Sequence, residues 1–175
     1  MEPGDAMLLD TALPLIVAGV AVLMDLRTAK VDNGWILFSL CTGCFYRLLR
    51  QGFAGLLTFF LGVCFPFLLL GILFCFRMLG PGDIKVFCVL GGLLGVRRIS
   101  CCMLYALFFG GVLSLFLLLT YGDIRQRFHY FFRYIQDLML TGEAKPYLRK
   151  GMAPENIHFT VPILMSILLY AGGFY

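Results

Sequence analysis

Two aspartates interrupt an otherwise oily chain. Asp25 closes an apolar run in AVLMDLRTAKVDNGW, and Asp83 stands in GPGDIK between AGLLTFFLGVCFPFLLLGILFCF and VFCVLGGLLGV. The chain has ten acidic residues. Glu2, Asp5 and Asp10 lie in or beside the N-terminal tail, and Asp137, Glu143 and Glu155 lie in a long polar connection. Asp25, Asp32, Asp83 and Asp123 remain, all near the ends of apolar runs. Asp25 precedes the basic residues of its own loop, and an ionisable group at such depth is a functional candidate that seeks a partner inside the bundle. Asp83 is of the same kind. Two carboxylates brought within a few ångströms repel each other, and partial burial adds to that, so one pKa rises and the pair shares a proton at neutral pH. One then serves as base and the other as acid, which is the chemistry of aspartic proteolysis. The pair titrates together, so the sequence assigns the proton to neither. Gly80 and Gly82 let a substrate strand pass close to the turn, and Pro81 stiffens it.

The elements that position these residues must be membrane helices. Hydrophobic residues make up 61% of the chain and charged residues 14%, against about 25% charged in soluble domains, and the mean hydropathy is +0.91. Such a chain cannot hide its apolar surface in a water-soluble fold of 175 residues. No Lys or Arg precedes the first apolar run, so MEPGDAMLLD does not read as a removable signal peptide. The apolar runs predict an all-α membrane protein forming one domain over 1–175, with six transmembrane helices near 7–26, 34–49, 54–76, 84–96, 101–120 and 158–174. The fourth is short, at about 20 Å of helix, which places Asp83 at or just inside the lipid boundary.

Orientation follows from Lys and Arg. The connections after the first, third and fifth spans carry ten of them: Arg27, Lys30, Arg77, Lys85, Arg125, Arg127, Arg133, Lys145, Arg149 and Lys150. The other side carries Arg47, Arg50, Arg97 and Arg98, so the positive-inside rule predicts both termini outside and both aspartate loops in the cytoplasm. The net charge of +4 reads as anchoring to anionic lipid, with no basic stripe suited to nucleic acid. In DIRQRFHYFFRYIQDLML, Ile124, Phe128, Phe131, Phe132, Ile135 and Met139 recur at helical spacing. That stretch predicts an interfacial amphipathic helix before the last span.

On these residues the chain resembles a type IV prepilin peptidase, a GxGD-type membrane aspartic protease. Gly80, Gly82, Asp83 and Lys85 match GxGDxK, while Asp25, Arg27 and Val31-Asp32-Asn33 stand where that family has an aspartate, a basic residue and Ile-Pro-Asn. The closing IHFTVPILMSILLY is similar to the family's last span, which also contains proline. The resemblance implies Asp25 and Asp83 as the catalytic pair, with Gly80, Gly82, Lys85, Arg27 and Asn33 as motif or substrate-binding support. It implies no cofactor or metal, a prepilin or pilin-like precursor as substrate, and a multi-pass protein of the bacterial inner membrane acting at its cytoplasmic face, for a type IV pilus or secretion system. Oligomeric state is left open. Asp32 replaces the usual proline and adds a third acid to the loop. Larger members carry a cytosolic insertion with paired CxxC motifs, linked to methylation. Here that connection is only TAKVDN, so a short form without methyltransferase activity is expected.

Other features read as structural. Cys41 and Cys44 form a single CxxC inside a span, without further ligands at zinc spacing. His129 and His158 have the character of interface anchors. Gly91 and Gly95 form a GxxxG suited to close packing inside the bundle, and the same packing role is read for the adjacent Gly110 and Gly111. YGDIR at residues 121–125 echoes GPGDIK, but Thr120 replaces the leading glycine and Asp123 opens the amphipathic helix, where an acid is favoured by the helix dipole. Two rival functions remain. A presenilin-like intramembrane protease would have Tyr before its first aspartate, where this chain has Met24. A small proton- or cation-coupled transporter would hold its acids mid-span or in paired broken helices.

Overall fold

A computed structural model describes residues 3–75, 79–121 and 158–175, and all structural statements refer to these. They form five helices: α1 (Pro3–Thr28), α2 (Asn33–Cys75), α3 (Pro81–Leu94), α4 (Val96–Tyr121) and α5 (Thr160–Ala171). No strand occurs among the described residues. Three stretches are long and apolar enough to cross a membrane: Leu8–Thr28, Asn33–Gly71 and Val96–Phe116. The expected amphipathic helix, His129 and Asp123 lie outside the described residues.

The chain divides into two compact units. One comprises Met1–Gly110 and His158–Tyr175, and holds the core and both aspartates. The other is Gly111–Ile157, described only over 111–121, where Val112, Leu115, Phe116 and Leu119 are exposed on α4.

Within the first unit, α3 is the central rod. Gly80 caps it in an extended conformation and Pro81 takes its first turn, where a fixed φ helps and a missing N–H costs nothing. From Ile84 to Leu94 all but Lys85 and Cys88 are buried, and Val86, Phe87, Val89 and Leu90 are almost wholly so. The rod packs against α2 and α1, and α1 also packs against α5. Glycine makes the closest approach possible: a Cβ at Gly62 or Gly91 would run into the other's carbonyl, and Phe59 lies against Gly92. Gly91 thus packs within the bundle as its spacing suggested. Gly95 does something else, ending α3 at φ 80° with its N–H bonded to the Gly91 carbonyl at 2.8 Å. Gly110 receives the ring of Phe159, whereas Gly111 faces no atom within 4 Å.

The second and third expected spans join in α2, but the helix is broken at Gly52, with φ 59° and ψ −142°. The chain reverses there. A Cβ at Gly43 would meet Phe59 at 3.1 Å, although sixteen residues of straight helix would separate them by about 24 Å. Gly55 likewise returns to the carbonyl of Arg47. A positive φ of this kind needs glycine.

Outward faces are apolar. Ile16 and Leu23 of α1, Leu37 and Leu68 of α2, and Leu104 and Phe108 of α4 are each more than half exposed, while small Ala18 and Ala21 face the core. Large apolar side chains left outside fit a membrane setting, since lipid gives no hydrophobic reason to bury every Leu or Phe.

Candidate active site

The two sequence motifs meet at the N-terminal end of α3. Helix α1 runs past Asp25 to Thr28, so Asp25 belongs to its last turn rather than to the loop beyond, and Ala29 ends the helix at φ 52°. Residues 29–32 then lead directly into α2, whose first residue is Asn33. The loop abuts the GPGDIK turn: a Cβ at Gly82 would lie 3.9 Å from Val31 Cγ2. Lys85 Nζ donates to Asn33 Oδ1 at 2.8 Å. That bond joins two motifs 52 residues apart and gives Lys85 a specific partner.

Asp83 occupies the first turn of α3, where the helix dipole favours an acid. Burial nevertheless pushes its carboxyl up to about 6, and the negative charge of Asp25 pushes the same way. A hydrogen bond with the Gly80 backbone and the nearby His158 offset part of this rise. A carboxyl raised by burial and by a second carboxyl marks a candidate functional group.

Asp25 has a different set of neighbours, one the sequence did not suggest. Thr160 Oγ1 donates to Asp25 Oδ2 at 2.7 Å, and His158 Nδ1 lies 3.1 Å from the same oxygen. His158 is therefore no simple interface anchor. Phe159, between them, fixes their placement: it lies 6.4 Å from the ring of Phe87 on α3 and packs into the space at Gly110 on α4. The signal was present in IHFTVP, an ionisable residue at the edge of an apolar run, by the same depth argument that singled out Asp25.

The other sequence candidates stand apart from the pair. Arg27 is exposed in the last turn of α1, where a cation suits the dipole. Asp32 is exposed before α2, its carbonyl accepting from the Ile36 N–H at 3.2 Å. Cys41 is exposed on α2 rather than packed, Cys44 is half-buried, and both are free thiols. No group of three or more His, Cys, Asp or Glu suited to a metal occurs among the described residues.

No curated protein and no solved structure matches the chain. A family profile does: that of the type IV leader peptidases matches residues 12–115, a range that includes Asp25, Asn33, Gly80, Gly82, Asp83 and Lys85. It covers more than half of the sequence and agrees with the expected kinship. On this match, and with apolar helices to hold it in a membrane, the chain belongs to the type IV leader peptidase family.

Proposed function

We propose that this protein is a membrane aspartic endopeptidase that removes the leader of prepilin or pilin-like precursors, using Asp25 and Asp83 to activate water. One observation carries the reading: Asp83, half-buried at the head of the central rod, stands close enough to Asp25 for that charge to help raise its carboxyl to about 6. As pH falls through about 6 such a pair takes up one proton. The ionised member draws a proton from water as it attacks the peptide carbonyl. The protonated member supports the developing oxyanion and then gives its proton to the leaving amine.

Six spans follow if the two arms of α2 count separately and α3 and α5 count beside α1 and α4. Both termini then lie outside, and the aspartates face the cytoplasm of the bacterial inner membrane. The substrate's apolar helix lies in the bilayer against the bundle, and its short basic leader reaches the loops that hold Arg27 and Lys85. The brief connection from Thr28 to Asn33 supports a protease-only form without methyltransferase activity.

The test uses the full chain in proteoliposomes with a synthetic precursor, a basic leader ending in glycine followed by an apolar helix. Cleavage after the glycine is expected, and it is lost in Asp25→Asn and in Asp83→Asn while both variants remain inserted. Proton or cation flux without cleavage would overturn the reading in favour of a transporter.

A further inference from the structure

We infer that His158 and Thr160 are positioning residues that pin Asp25 through Oδ2 and so make Asp25 the base and Asp83 the acid of the pair. The inference rests on the proposed dyad and adds what the dyad alone leaves symmetric.

The geometry is one-sided. The Thr160 hydroxyl donates to Oδ2 of Asp25 at 2.7 Å, His158 Nδ1 stands 3.1 Å from the same atom, and among the described residues Oδ1 has no protein partner. Oδ1 is thus the atom left to take a proton from water. Thr160 is 1% exposed, so its hydroxyl cannot turn to solvent, and Asp25 is the acceptor it has found. A hydrogen-bond donor to a carboxylate favours its charged form. Asp83 lacks such side-chain donors and has only the Gly80 backbone, a turn away, to bond its carboxyl. The shared proton therefore rests on Asp83.

The charged and titratable groups around the pair are few. From α1 comes Asp25, from α3 Asp83, and from the start of α5 His158, while Lys85 is held by Asn33. His158 relates to Asp25 as an orienting pair does elsewhere in hydrolase chemistry, each fixing the other's direction. The family match ends at residue 115, so this clamp stands on a part of the chain beyond it.

The test compares Thr160→Val, Thr160→Ser, His158→Ala and His158→Asn in the full chain, with the synthetic precursor, as kcat and KM. Losing one donor to a charged group should lower kcat about tenfold, with KM changed less than about twofold. Thr160→Ser and His158→Asn, which keep a donor in place, should restore kcat to within about threefold of the parent. A Val or Ala variant with the parent's kcat, a loss that falls on KM instead, or a loss that Ser and Asn leave unrepaired, would overturn the clamp. If instead the parent fails to cleave, or Asp25→Asn still cleaves, the proposed dyad itself falls.

Discussion

At the C-terminal end of α3 arginines meet groups that complement them, and at its N-terminal end two acids meet each other. Arg47 Nη2 donates to the carbonyl of Leu93 at 2.6 Å, satisfying the end of the rod. Asp10, fifteen residues before Asp25 on the same helix, accepts from Tyr46 at 2.7 Å and pairs with Arg50 at 3.4 Å. Arg98 lies over the ring of Tyr170 and donates to its hydroxyl at 3.2 Å. A cavity of about 590 Å³, lined in part by Arg47, Arg97 and Arg98, opens at that end. Asp25 has polar neighbours too, but one of them is another acid, and the conflict is left standing inside a well-packed core. The contrast between Asp10 and Asp25 sets a charge held by its partners against the charge proposed for reaction.

The largest effect that tests this contrast is on cleavage. Asp25→Asn and Asp83→Asn should each lower the rate at least about a thousandfold, the range expected for loss of a general acid or base. Asp10→Asn should leave the rate unchanged, and an equal loss there would erase the distinction between the ends. Next comes the rod that holds both ends. Gly91→Val drives a side chain into the Gly62 carbonyl and should destabilise by about 3 kcal/mol, at the upper end for overpacking. Both ends should fail together in a melting experiment.

A comparable effect should appear in the pH dependence of stability. Asp83 is raised in the folded protein from an ordinary 3.8 to about 6. Its contribution is therefore fully present below about pH 4 and is lost as pH rises through about 6. Asp83→Asn, a neutral stand-in for the protonated acid, should match the parent at pH 4. At pH 8 it should be more stable by up to about 3 kcal/mol, read from chemical denaturation. A gain that is equal at both pH values would mean that the acid's charge is no burden. The smallest effect belongs to the link between motifs. Lys85→Ala and Asn33→Ala should couple in a double-mutant cycle by less than about 1 kcal/mol, as exposed pairs do.

The acids, the glycine turn and the short fourth helix were legible in the sequence because each is a local departure from a membrane background. A carboxylate, a GxG or a thirteen-residue run is visible without knowing what it touches. The break at Gly52 was also foreseeable as the joint between two apolar runs. What escaped was pairwise. His158 and Thr160 lie more than 130 residues from Asp25, and nothing in their own stretch names that partner. Asp10 gave no sign of Tyr46 or Arg50, which lie across a helix contact. Gly95 looked like one half of a packing motif, because spacing alone cannot tell a helix face from the residue that ends the helix.

The shortness of α3 has a consequence for the lipid around it. Fourteen residues make about 21 Å of helix against a hydrocarbon layer of about 30 Å, a mismatch that an isolated span would impose on the bilayer. Protein buries α3 from Ile84 to Leu94 except at Lys85 and Cys88, so little of the short helix is left for acyl chains to meet. They meet Ile16, Leu23, Leu104 and Phe108 on longer helices instead. On the six-span reading the missing length is thus made up by the protein packed around α3 and not by a thinned bilayer.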